Sequence, residues 1–592
     1  MVSTESDDDD LLPLGRRNDE IIGKFSLMRI LSFDPLHFQS TSWRNQRMLS
    51  SSTNDTKKVK FIPHYGNDVQ YMPGRFHYSI EELEPYRTIG DPEMDELLEH
   101  LATKTADGCG SGAFDDVIAH CIDEYNINKN INSPSFQFYS HYYNNIPDWV
   151  DYDEIQRGID VFLAYLPAAG CALFYRSLVG GFSIPKIAAV LVATRYLVPS
   201  DTTDQSKERI DRDRRRSEER LIDTGGFLAC CFAPPPSNVD NDSDNQQLSA
   251  ASLRPGGRGW ESTLRVRVLH AKVRRSLLKR RNPPWDADVN GVPINQEDMA
   301  ATLLAFSVNV LLGIELTSGR PLNGNDQRDY LALWRYLGWL LGVDTPEGDY
   351  SSSNRGVLGK DDGSRFISIP IDPCGPTKGF RCSKDNPSFL DDVSPATYDN
   401  LDPEIDPIIH SYATLESMIL HLLHPEQSSR MLVKHLLSLR RSVIFRSVVC
   451  RKFLGDPLSD DLGVPKSCAV WSGWHIDSLH NFASHISVKF FLHLFLIFLR
   501  VYTLLTMTCP WFRRRAIVWH ANLESRILQL WEKAHEGRVT KVASKHVAAM
   551  SQSLTKKSFC PFAMIMDPNS GSELDEESIS NIESSLRLPG VI

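Results

Sequence analysis

RVRVLHAKVRRSLLKR (Arg265–Arg280) sets a single histidine, His270, in a strongly basic run. Residues three and four apart share a helix face, so Val266, His270, Val273 and Leu277 form one stripe. Arg267 and Arg274 flank the histidine, three residues before it and four after. A buried imidazole can be a core residue held by one hydrogen bond, a general base, or a metal ligand. Taken alone, the stripe favours the core role. The arginines add a second possibility, because haem iron takes an imidazole and its propionates take cations. A zinc site is less natural, since the chain has no HExxH and no paired-cysteine motif. The apolar residues among the basic ones imply packing on protein, and no aromatics interleave for base stacking.

The rest of the chain reads as helices joined by long polar insertions. It has 592 residues and a net charge of -11, which argues against a nucleic-acid partner. The eleven cysteines have no regular spacing and read as free thiols; Cys374 and Cys382 lie in a loop-like region where a pair could form. The acidic start at Asp7–Asp10 rules against a secretory signal. Ile21–Phe33 is apolar but too short to span a bilayer. Residues 1–75 are expected to be disordered or weakly ordered. A helical domain is expected over 76–485, with insertions at about 201–217, 234–258 and 344–406. A hydrophobic membrane-contact segment is expected over 486–515, then a C-terminal helix and an acidic disordered tail over 516–592. Strands are nearly absent, so the fold class is all-α.

Several segments have more than one reading. The glycines at 108, 110 and 112 lack the strand and the Gly-Lys-Ser of a phosphate loop, so they read as a turn. Ile155–Gly181 is long and apolar, but Pro167 and Arg176 interrupt it, which favours a buried helix with a break. Ile184–Val198 is a second apolar helix, with Pro185 near its first turn. Phe490–Phe512 is the strongest membrane candidate: long enough to span, followed by Arg513–Arg515, yet carrying Arg500 in its middle. A helix half-sunk in the interface is the alternative. His421 and His424 read as a helix C-terminal cap or core pair. Trp334, Tyr336 and Trp339 read as core aromatics, and Asn295 with Asp298 as a helix N-cap. Periodicity does not orient Thr302.

Several stretches, taken in order, resemble a known family. They are Trp149–Phe162, Ser177–Leu197, ERLIDTGGFL (Glu219–Leu228), TLRVRVLHAKVRRSLL (Thr263–Leu278), Gly291–Phe306, Tyr330–Val343 and GDPLSDDLGVP (Gly455–Pro465). Together they resemble the haem-dependent oxygenase domain of latex-clearing rubber oxygenases and the ER-bound oxygenase of mycophenolic acid biosynthesis. The resemblance implies an all-helical haem-binding domain with haem b as cofactor and His270 as the iron's proximal ligand. Arg267 and Arg274 would then face the propionates. It also implies that Arg220 and Thr224 line the distal side. Rubber-cleaving members carry a lysine just before that threonine, where this chain has Asp223. A distal base is implied but not placed; Glu218 and Glu219 are nearby and read as solvent-facing. The implied reaction is oxidative cleavage of a carbon–carbon double bond in a lipophilic alkene or isoprenoid by dioxygen. An apolar cavity between helices near 155–181, 184–198 and 297–316 would hold the substrate. Membrane association follows, with the endoplasmic reticulum favoured and the cytoplasm otherwise. The competing reading is a non-catalytic, membrane-associated helical protein that binds haem or lipid.

Overall fold

A computed structural model describes residues 60–64, 67–71, 77–106, 116–195, 197, 207–234, 250–281, 283–343, 407–439, 443–466 and 479–539. The expectations for the glycines near 110, the 344–406 insertion, Cys374 and Cys382, Ile21–Phe33 and the C-terminal tail lie outside these residues. The architecture is all-α. The longer helices are α1 (Pro92–Ala106), α2 (Val117–Asp123), α3 (Pro134–Asn144), α4 (Tyr152–Ala164), α5 (Leu166–Val179), α6 (Pro185–Ala193) and α7 (Lys207–Phe232). They continue with α8 (Arg258–Leu278), α9 (Gln296–Phe306), α10 (Val308–Ser318), α11 (Gly324–Leu340), α12 (Pro407–Leu422), α13 (Gln427–Ser438) and α14 (Val443–Leu454). The last two are α15 (Leu479–Thr508) and α16 (Pro510–Val539).

Two expectations change. The region before residue 75 contains an antiparallel hairpin of β1 (Lys60–His64) and β2 (Asn67–Tyr71), with Ile62 opposite Val69. β-branched residues favour extended backbone of this kind. The charged run after residue 201 is helical from Lys207 onward. Asp213 and Ser217 are buried in it, and the Ser217 hydroxyl meets His435 Nε2 of α13 at 2.9 Å. Tertiary contacts thus extend the helix through a sequence whose charges read as solvated.

The most apolar stretch is the centre of the molecule. Gln296–Ser318 is long and apolar enough to cross a membrane by length and composition, yet 83% of its most apolar window is buried in the protein. α5 packs directly on it. Arg176 donates to Asn309 Oδ1 at 3.1 Å and to the Phe453 carbonyl, and a Cβ at Gly313 would collide with Ala172. α4 and α5 meet at a 79° bend. The break falls at Tyr165, and Pro167 occupies the first turn of α5, where its missing N–H costs nothing.

α15 and α16 meet at a 115° bend around Cys509. Pro510 starts α16 and pushes its predecessor out of helical geometry. The C-terminal helix thus begins at Pro510. Arg500 is buried, and its guanidinium lies 3.4 Å from where a Cβ of Gly319 would stand. Gly319 caps the C-terminus of α10, whose dipole favours a cation. Arg500 thus faces the protein.

α4 and α11 cross at Gly158, where a Cβ would collide with the Asp329 carbonyl and lie 2.8 Å from Leu333 Cβ. Gly158→Ala should destabilise the fold by about 1–3 kcal/mol through overpacking. Gly181→Ala, with nothing within 4 Å of the added methyl, should be neutral or stabilising by up to about 1 kcal/mol. Urea unfolding midpoints of the two variants check this; equal losses would contradict the crossing.

Candidate functional site

α8 carries the candidate site, and its buried face is not the one its sequence suggests. Val266, His270 and Val273 are only half-buried. Arg267 and Arg274 are 2% and 1% exposed. Each guanidinium already has a carboxylate. Arg267 grips Asp91 with two hydrogen bonds, Nε to Oδ2 at 2.6 Å and Nη2 to Oδ1 at 2.8 Å. Its Nη2 also meets Glu93 Oε2 at 2.9 Å, and the Tyr142 hydroxyl donates to the same oxygen at 2.8 Å. The Tyr142 ring lies under the guanidinium at 4.9 Å. Arg274 meets Asp95 Oδ1 at 2.7 Å and donates to the carbonyls of Pro293 and Ile294.

The acidic partners come from the start of α1, DPEMDE, whose Asp91 also accepts from the Met94 N–H. Two glycines let the backbone close around the arginines. A Cβ at Gly342 would stand 2.6 Å from both Arg267 Nε and Asp91 Oδ2, and one at Gly90 would stand 2.7 Å from Arg274 Nε. Gly342 has φ of +78°, a conformation open chiefly to glycine. Gln296 Nε2 ties the two loops together by donating to the Gly90 and Gly342 carbonyls. Burial opposes ionisation of Asp91, but the charge and hydrogen bonds of Arg267 and the charge of Arg274 outweigh it. Its carboxyl is held below the usual range.

Both guanidiniums are thus engaged by carboxylates, while Arg267 Nη1 is buried without a hydrogen-bond partner. What the arginines flank is His270. Its Nδ1 is buried with no hydrogen-bond partner. Burial, then the Arg274 charge, lowers its pKa to about 4, against a weaker opposite pull from Asp91. The imidazole is therefore neutral at neutral pH, with a lone pair free to bind a metal or accept a proton.

Arg220 and Thr224 lie one turn apart on α7. The Thr224 hydroxyl donates to the Arg220 carbonyl at 3.1 Å and the residue is exposed. α7 and α8 form a hairpin of helices in which Cys231 Sγ lies 3.8 Å from Thr263 Oγ1. Thr224 is seven residues before Cys231, and His270 is seven residues after Thr263. At equal rise per residue, the two stand level along the antiparallel pair. Asp223, half-buried, is at the same level. Thr302, on the otherwise buried α9, is exposed and donates to the Asp298 carbonyl.

The remaining residues singled out by their sequence context are structural. Asn295 caps α9 by accepting from the Asp298 N–H at 2.9 Å. Trp334, Tyr336 and Trp339 are buried. His421 Nε2 meets the Tyr78 carbonyl, and His424 Nε2 the His421 carbonyl at the end of α12. Those two histidines line a surface cavity of about 580 Å³ beside α6, and neither His270, Arg220 nor Thr224 borders it. Among the described residues, no three His, Cys, Asp or Glu side chains cluster to hold a metal ion.

Comparison with known proteins now bears on this geometry. Residues 211–484 match the family described as "ER-bound oxygenase mpaB/B'/Rubber oxygenase, catalytic domain". Over these residues the chain is similar to that family. The matched stretch contains α8, all of α7 beyond its first turn, and His270, Arg267, Arg274, Arg220 and Thr224, while Trp149–Phe162 and Ser177–Leu197 lie before it. The solved "Structure of Latex Clearing Protein LCP in the closed state" is similar over 72% of this chain and 92% of that chain, at 18% identity and a TM-score of 0.39. No curated protein matches.

The acidic partners of Arg267 and Arg274 were not anticipated from the sequence; the signal for them was the cluster Asp91, Glu93 and Asp95 in one turn. Arg267→Met, which leaves Asp91 charged and buried, should destabilise the fold by about 3–5 kcal/mol. Asp91→Asn in that background should recover part of the loss. Asp91 has a lowered folded pKa, so its contribution is complete above the ordinary value of 3.8 and fades as pH falls through the folded one. The Arg267→Met penalty, read from denaturant melts at neutral pH and in strong acid, should shrink in acid; a pH-independent penalty would point to packing alone.

Proposed function

We propose that the domain is a haem-dependent oxygenase that oxidises or cleaves a carbon–carbon double bond in a lipophilic alkene or isoprenoid. The observation that carries this reading is His270, a neutral imidazole with an orphaned buried nitrogen. It is held between two anchored arginines within a stretch similar to an oxygenase family. Donor chemistry fits: haem needs one imidazole from the protein, and α8 offers one at a fixed height. When bound, haem supplies the redox-active iron that activates dioxygen.

The chain's own residues then have separate tasks. His270 would hold the iron. Asp91 and Asp95, through Arg267 and Arg274, fix the rotation of α8 and with it the direction of His270. That gives the arginines a positioning role beside the propionate contact implied by resemblance. Arg220 and Thr224, one turn apart on α7, would supply N–H and O–H donors to charge that develops on oxygen. Asp223 stands where rubber-cleaving members have a lysine. Membrane association brings the domain to a lipophilic substrate.

Absorption spectra of the purified chain, oxidised, reduced, and reduced with carbon monoxide, should show a Soret band that is lost or shifted in His270→Ala. Arg220→Ala should keep the band and lower oxygen-dependent formation of carbonyl products by about ten- to a thousandfold. A wild-type chain that stays colourless after haemin is added would overturn the proposal and return His270 to the core reading.

A further inference from the structure

α15 and α16 each present an exposed face of a distinct kind. On α15, Leu494, Val501 and Leu505 are 46%, 36% and 43% exposed. They fall at spacings of seven and four, which is one helix face. The opposite face, Leu492, Phe495, Leu496, Leu499 and Tyr502, is buried against the body. On α16 the exposed residues continue as Trp511, Arg514, Arg515, Val518 and Trp519. Trp511 and Trp519, at 72% and 42%, are the exposed tryptophans among the described residues.

The charge around this face is one-sided. Between Asp477 and Glu524 the chain has no Asp or Glu but five Lys and Arg, in a protein whose net charge is -11. Arg513 is neutralised by a bidentate pair with Asp326, at 2.7 and 2.8 Å. Arg500 is turned into the protein. Arg514 and Arg515 are exposed between the tryptophans. Aromatic side chains beside arginines are what the headgroup layer of a bilayer accepts. An apolar face alone would equally suit a second protein; the acid-free basic surround selects an anionic lipid surface.

Packing then decides how it binds. The side of α15 that carries Leu492, Phe495, Leu499 and Tyr502 is covered by the body, so its described length meets lipid on one side only. The 115° bend also rules out one straight span through both helices. We propose that the outward face of the α15–α16 hairpin is a monotopic docking surface for an anionic bilayer leaflet. Trp511 and Trp519 sit at headgroup depth, and Arg514 and Arg515 meet lipid phosphates. This deepens the membrane-associated oxygenase reading by naming the surface and the lipid, and it needs no haem to be true.

Flotation of the full chain with vesicles of phosphatidylcholine, with and without phosphatidylserine, tests it. The wild type should float with the anionic vesicles, more weakly as salt rises. Arg514→Glu with Arg515→Glu should weaken binding about tenfold or more, and Trp511→Ser with Trp519→Ser should weaken it on both vesicle types. Circular dichroism confirms that the variants fold. A wild type that stays with neither vesicle, or folded variants that float as well as the wild type, would overturn the proposal. So would dimers, seen by light scattering, that the tryptophan variants dissolve, because the face would then be a contact between copies. The absorption spectrum of the same samples separates the two readings: a colourless chain that floats sinks the oxygenase and keeps the docking surface, and a Soret-bearing chain that does not float does the reverse.

Discussion

The Arg267–Asp91 pair ties together four parts of the molecule that are distant in sequence. It joins the middle of α8 to the start of α1, under the Gly342 turn that ends α11, beside the Gln296 side chain at the start of α9. Two buried charges of opposite sign are tolerated because their hydrogen bonds are bidentate and short. Removing either would leave the other uncompensated. The cost of that constraint is rotational freedom: once Arg267 and Arg274 are anchored, α8 has one orientation, and His270 has one direction to face.

That orientation gives the site its chemistry. A histidine on a solvent face would titrate near neutrality and bind a metal in competition with protons. His270 is desolvated and lies beside Arg274, so it stays neutral well below pH 6.5. α7 packs on α8 where the small side chains of Cys231, Gly259 and Thr263 meet.

The apolar helices show how similar compositions reach different environments. Gln296–Ser318 is the centre of the core, α4–α5 is bent and buried, and α15 lies half against the body with its other side open. In α15 the deciding detail is polar. Arg500, Thr503 and Thr506 all face the body, so only the remaining side is exposed. A hydropathy average does not separate these cases, because it counts side chains without regard to which face they occupy.

The all-α class, the helix cap at Asn295 and the core aromatics of α11 were legible in the sequence. Each rests on local spacing, which a helix of fixed pitch converts directly into geometry. The hairpin at β1–β2 and the helical start of α7 were not legible, because pairing and burial override the local signals there. Nor were the partners of Arg267 and Arg274. Which carboxylate meets which guanidinium depends on segments about 175 residues apart, and no periodicity spans that distance; only the folded chain decided that the basic residues beside His270 turn inward.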